Sequence, residues 1–195
     1  LPIQRMFDAE KVLAEMSFEE KIDYVSGKDL WWLKAMPRHS VPGLMMSDGP
    51  HGLRKELDVV WEGTLGDIKE RKTLEAVCFP AGCAAAASWD PELTAEIGRA
   101  LAREALAEDV QVVLGPAINI KRSPLCGRNF EYYSEDPYLA GKLAASYIRA
   151  MQAEDVAVSL KHYAVNSQEY RRRTSSAELS ERALREIYLS NFEIA

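Results

Sequence analysis

QVVLGPAINIKRSPLCGRNFEYYSEDP, from Gln111 to Pro137, is the stretch whose reading decides the fold. Gln111 to Leu114 is a short apolar run closed by Gly115-Pro116, the pattern of a strand buried on both faces. Ser134-Glu135-Asp136-Pro137 reads as a helix start, because Asp136 can cap and Pro137 suits a first position that needs no amide hydrogen. Between them runs a long connection carrying Asn119, Lys121, Arg122, Arg128, Asn129 and Glu131. Long loops in compact units are usually functional or disordered, and the aromatic residues of this one favour function over a solvated basic surface loop.

Two further stretches repeat the arrangement. Val41 to Met46 is a strand candidate that runs into Ser47-Asp48-Gly49-Pro50-His51-Gly52-Leu53-Arg54. A carboxylate beyond a buried strand, in a glycine-rich turn, stands where α/β folds hold ligands. Asp48 can accept hydrogen bonds from neighbouring hydroxyls; its commoner use before Gly is to bond its own backbone. Arg54 can pair with Asp48 or bind a ligand, and His51 reads as structural. Val156 to Leu160 is the third strand candidate, followed by Lys161-His162-Tyr163-Ala164-Val165-Asn166. Two polar side chains directly after a strand again mark a carboxyl end, although a lone His is often only a satisfied structural residue.

Helices fill the intervals. Asp8 to Met16 reads as a short helix, and Ser17 with Glu20 forms a capping box for a second, with Phe18, Ile22 and Val25 as its apolar face and Gly27 as its end. Trp31 and Trp32 can stack on a sugar ring or, more commonly, pack in a core. Lys55 to Val77 reads as a long polar insertion on the ligand side. Asp90-Pro91 starts a helix over Glu92 to Ala107, with Leu93, Ile97, Leu101 and Leu106 at near-helical spacing. Tyr138 to Ala153 is amphipathic, with Leu139, Leu143, Tyr147, Ile148 and Met151 inward. Ser180 caps a last helix, Glu181 to Ile194, with Ala183, Leu184, Ile187, Tyr188 and Phe192 on its apolar side. Arg171-Arg172-Arg173 reads as a solvated face. Alternating strands and helices predict an α/β chain with parallel, right-handed crossovers. No dinucleotide or phosphate-loop fingerprint follows any strand, and polar residues after all three favour a barrel over a doubly wound sheet.

The totals exclude several classes. The 195 residues are 47% hydrophobic and 28% charged, ordinary globular composition for one or two domains. A net charge of -6 argues against nucleic acid as the partner. Cys78, Cys83 and Cys126 are odd in number and lack metal spacing, so no disulfide framework, metal or cofactor is expected, and a reducing compartment, the cytoplasm, is. No apolar run is long enough to span a bilayer, so no membrane partner is expected.

SDGPHGLR (47–54), GPAINIKRSPLCGRNFEYYSEDP (115–137) and KHYAVNSQE (161–169), with GKDLWWLKAMPRHSVPGL, FPAG, SWDP and SERALREIYL, together resemble the β-glucosidase branch of glycoside hydrolase family 3. The resemblance spans nearly the whole chain, and KHYAVN rather than KHFPGHG sets it apart from the N-acetylglucosaminidase branch. It implies that residues 1–195 form the first part of a (β/α)8 TIM-type barrel, incomplete in this chain, with a second α/β sandwich domain beyond it. It further implies that Asp48, Arg54, Arg128, Lys161 and His162 bind the sugar of the −1 subsite, and that the substrate is a β-glucoside or oligosaccharide.

One departure follows. The family's nucleophile is an Asp in an SDW-like motif after a later barrel strand, and no SDW occurs here; Ser47-Asp48-Gly49 belongs to the first-strand motif. The family's acid/base residue lies in the second domain. The implied enzyme is a retaining β-glucosidase whose catalytic pair lies outside this chain, so that the chain alone is inactive. Its partners would then be the remainder of the enzyme or a second copy. The alternative is a non-catalytic carbohydrate-binding or scaffold protein derived from the same barrel.

Overall fold

The computed structural model describes residues 8–57 and 72–195. It opens with two short helices, α1 (Ala9–Glu15) and α2 (Phe18–Val25). Asp8 caps the first, and the Ser17–Glu20 capping box forms as its residues require. The apolar face expected for α2 is not covered: Phe18 is 73% and Val25 79% exposed. Between the two helices lies an apolar hollow of about 240 Å³, lined by Val12, Met16, Tyr24, Val25, Met36 and Val41.

The first sheet strand starts later than its hydrophobic run suggested. Met36 to Val41 forms a tight turn, and the chain on either side pairs antiparallel, with Leu33 N bonded to Leu44 O at 2.9 Å and Trp32 bridging Met45. Val41 to Met45 therefore belongs to this ribbon, and Pro42 and Gly43 interrupt any longer strand. Strand β1 is Met46–Asp48. Trp31 and Trp32 take the packing role: Trp31 is buried, with Nε1 donating to Glu56 Oε2 at 2.9 Å, and Trp32 packs against the same core.

Residues 58–71 of the expected Lys55–Val77 insertion lie outside the described residues. The chain then forms α3 (Gly82–Ala87), α4 (Pro91–Ala107), β2 (Val112–Leu114), α5 (Pro137–Ala153) and β3 (Ala157–Val158). Asp90 and Asp136 accept from the first-turn amides of α4 and α5, each with Pro at the first position. The sheet order is β1-β2-β3, all parallel, with Ser47 beside Val113 and Val113 beside Val158. β3 is shorter than the expected Val156–Leu160 because its neighbour turns at Gly115-Pro116, and Pro116 has no amide hydrogen to give. Pairing resumes one step on, where Lys161 N bonds to Pro116 O and Ile118 N to Lys161 O.

The main core lies between sheet and helices: Leu101, Ala102, Ala105, Val110, Val113, Tyr147, Met151 and Val156 are all essentially inaccessible. α4 meets α5 through small residues. A Cβ on Gly98 would lie 2.8 Å from Tyr147 O, which is why the buried face of α4 is Thr94, Ala95, Gly98, Leu101, Ala102 and Ala105, with Leu93 and Leu106 turned outward.

The last helix, expected unbroken over Glu181 to Ile194, is α6 (Glu181–Ala183), a π-helical turn (Leu184–Tyr188) and α7 (Ser190–Ile194). A π turn adds one residue and shifts the helical phase. Beyond it Asn191 is fully buried, donating from Nδ2 to the Ile118 carbonyl, while Ile187 is left exposed.

Candidate functional site

All three loops that follow the strands end at one cluster of charge. Asp48 is the last residue of β1. Gly49, at φ 114°, starts a return that an L side chain could not make, since its Cβ would lie 2.0 Å from Gly52 O. The return closes with Arg54 N on Asp48 O at 2.9 Å, and it sets Arg54 Nη2 2.8 Å from Asp48 Oδ2. From the far end of the chain, Lys161 Nζ donates to Asp48 Oδ1 at 2.8 Å.

The middle loop completes the set. Ser123 to Glu131 is a run of turns that brings Arg128 over Glu131, whose carboxylate accepts from Arg128 Nε and lies 3.7 Å from Lys161 Nζ. Glu131 is buried, and Lys161 and Arg128 are largely so. A Cβ on Gly82, at the start of α3, would lie 2.2 Å from Glu131 O, so the FPAG glycine is what lets this loop approach.

His162 is held by its backbone as well as its ring. Asn119 exchanges two hydrogen bonds with it, His162 N to Oδ1 and Nδ2 to His162 O, each 2.8 Å. Its Nδ1 is 3.3 Å from both Tyr132 OH and Asn119 Oδ1, and Asn166 Nδ2 donates to Tyr132 OH at 2.7 Å and to Glu169 Oε1 at 2.8 Å. The Lys161–His162 peptide is cis.

Charge states follow from these contacts. Burial works to raise the Asp48 carboxyl, but the Lys161 hydrogen bond and charge, the Gly49 amide and Arg54 outweigh it and hold it below the ordinary value. Burial pushes His162 down to about 4, and the Arg128 and Lys161 charges add to the fall, so the imidazole is neutral near pH 7. Burial also lowers His51. Burial raises the Tyr132 hydroxyl to about 12. Burial disfavours the Arg128 charge, but the Glu131 bond outweighs it and keeps the guanidinium above its usual value. The result is an ionised acceptor, three cationic donors and a neutral imidazole at one rim.

The five residues singled out from the sequence are thus brought together: Asp48, Arg54 and Lys161 directly, Arg128 through Glu131, and His162 as the neighbour of Lys161. In the sequence, Glu131 and Asn119 stand out only as members of the loop, and Tyr132 and Asn166 carry no mark of a part. Their signal was weak, because each is local punctuation until the fold closes. Among the described residues, no group of three or more His, Cys, Asp or Glu is placed to hold a metal ion, and no helix is long and apolar enough to cross a membrane.

Parallel strands flanked by helices, with polar groups gathered at the strands' carboxyl ends, define part of an α/β barrel. The chain belongs to glycoside hydrolase family 3: residues 60–195 match the Glycosyl hydrolase family 3 N terminal domain. It is 49% identical over 188 residues to the thermostable beta-glucosidase B of Acetivibrio thermocellus, covering 96% of this chain and 24% of that protein. It is 46% identical over 179 residues to an exo-alpha-(1->6)-L-arabinopyranosidase of Bifidobacterium breve, covering 92% of this chain and 23% of the relative. The crystal structure of beta-glucosidase from Kluyveromyces marxianus in complex with glucose superposes with a TM-score of 0.85 at 39% identity, over 96% of this chain and 21% of that one. The fold is therefore part of the family's N-terminal barrel domain, and the chain spans less than a quarter of the length of these relatives.

Proposed function

We propose that this chain is the sugar-gripping part of a retaining β-glucosidase that hydrolyses terminal non-reducing β-D-glucosyl residues of oligosaccharides or glycosides. The observation that supports this reading is the 2.8 Å contact between Lys161 and Asp48, residues 113 apart in sequence, with Arg54, Arg128 and His162 grouped around it. A pyranose offers hydroxyls, which both donate and accept. Asp48 supplies the acceptor, Lys161, Arg54 and Arg128 supply N–H donors, and neutral His162 can serve either way. Groups fixed in advance at such positions raise the rate only where their bonds tighten as the ring flattens towards an oxocarbenium ion.

The chemistry itself needs two carboxyl groups about 5–5.5 Å apart, one as nucleophile and one protonated as general acid. Asp48 fits neither role: its lowered pKa keeps it ionised, and both oxygens are engaged by cations. In this proposal both catalytic carboxyls come from outside residues 1–195.

The similarity to an arabinopyranosidase favours a second reading, in which the same pocket serves a pentopyranose, a ring without the hydroxymethyl arm of glucose. Turnover of 4-nitrophenyl β-D-glucopyranoside and 4-nitrophenyl α-L-arabinopyranoside by the full-length protein separates the two. Asp48→Ala is expected to cut kcat/KM on the preferred glycoside by about a hundredfold or more, a loss of at least 2.7 kcal/mol of transition-state binding. No turnover of either glycoside, or an Asp48→Ala variant as active as the parent, would count against the proposal.

A further inference from the structure

Glu131 is a buried carboxylate with no part in the sugar contacts proposed above, yet it touches two of the residues that make them. Its Oε1 accepts from Arg128 Nε, and its Oε2 lies 3.7 Å from Lys161 Nζ. Its side chain is 5% accessible, against 27% for Asp48, so it stands behind the cluster and not at its mouth. We propose that Glu131 is a positioning residue: one buried anion shared by two cations fixes how Arg128 and Lys161 face the pocket. This rests on the reading of the pocket as a sugar site.

The hydrogen-bond inventory gives the reason. A guanidinium carries five N–H groups in a rigid fork. With Nε committed to Glu131, the fork's plane is set and its terminal amino groups are what Arg128 can offer a ligand. Lys161 has three donors on a flexible stem. Asp48 takes one, Glu131 attracts a second, and the third is left with a defined direction. Without the shared anion, Lys161 keeps Asp48 as its partner, while Arg128 is left with the more distant charge of Glu169. Removing one partner of a buried ion pair leaves an uncompensated charge. Gly82 belongs to the same device, because only a residue without a Cβ leaves room for the Glu131 backbone.

The test is glucose titration of the full-length protein by calorimetry, with a thermal melt of each variant. Glu131→Gln is expected to weaken glucose binding at least about tenfold. Arg128→Lys has no guanidinium Nε to anchor but leaves a cation beside the buried carboxylate, so it is read as the second variant should Glu131→Gln fail to fold, and it is expected to lose a similar factor. The double variant is expected to bind no worse than Arg128→Lys alone, because the two act as one unit. A merely structural Glu131 would lower the melting temperature without that coupling. Losses that multiply in the double variant, or Arg128→Lys or Glu131→Gln binding within twofold of the parent, overturn the proposal while leaving the sugar pocket standing. A parent protein that takes up no glucose overturns the pocket and the proposal together.

Discussion

In the unfolded chain His162 returns to its ordinary value of 6.5, whereas burial and the neighbouring cations hold it at about 4 in the fold. Between those values the unfolded chain takes up a proton that the native state refuses. The stability this represents is complete above pH 6.5 and is lost as pH falls towards 4. His51, lowered by its own burial, acts in the same direction. Asp48 is depressed too, so its contribution goes only below the ordinary carboxylate range. His162→Gln should therefore lose distinctly less stability than the parent between pH 7 and 4.5, read as urea midpoints; equal losses would refute the assignment. Two glycines in this region give opposite expectations. Gly82→Ala must displace the Glu131 carbonyl and should cost about 1–3 kcal/mol, with weakened sugar binding. Gly127→Ala meets nothing within 4 Å and should be near neutral, which makes it the control in the same denaturation series. The convergence of Asp48, Arg54, Lys161 and His162 is foreshadowed in the sequence, where each stands at or just past the end of a strand candidate or closes its turn. Asn119 and Tyr132 were not legible there, because their role depends on a loop 43 residues away for one and 30 for the other.

Helix starts were read correctly wherever a side chain makes them. Ser17, Asp90, Asp136 and Ser180 all accept from first-turn amides, a local signal that survives any tertiary context. α3 gave no such sign, since Ala81 has no capping side chain and its helix is an alanine run. Of the apolar period read for α4, Leu101 is fully buried and Ile97 packs on the core, but Leu93 and Leu106 turn outward and small residues fill the rest of the face pressed against α5. Gly98→Val places a branched side chain where Tyr147 O would be 2.8 Å from its Cβ and should destabilise by about 1–3 kcal/mol in urea unfolding. The phase shift in the last helix was invisible for a different reason: a π turn answers to Asn191 reaching Ile118, a long-range bond.

At the scale of the molecule, the described residues cover the sheet at its β1 edge. The Trp31–Met36 ribbon and the Arg54 return cover the outer edge of β1, while β3 is the last strand among the described residues. With Phe18 and Val25 outward as well, the isolated 195-residue chain should self-associate in sedimentation, and Phe18→Ser with Val25→Ser should reduce it. It should not turn over an aryl β-glucoside; turnover above a denatured control that Asp48→Ala removes would contradict the placing of the catalytic pair. The parallel layout was legible because strand and helix alternate strictly; the ribbon before β1 was not, because an apolar run reads the same in either pairing. The bond from Asp48 to Lys161 encloses more than half the polypeptide in one ring. No peptide that lacks either end of that span can bring the two groups together, and their pairing should form late in refolding, because its loop is long. Proteolytic nicking anywhere inside that ring, however remote from the rim, should open it, and a bound sugar should slow such cleavage throughout.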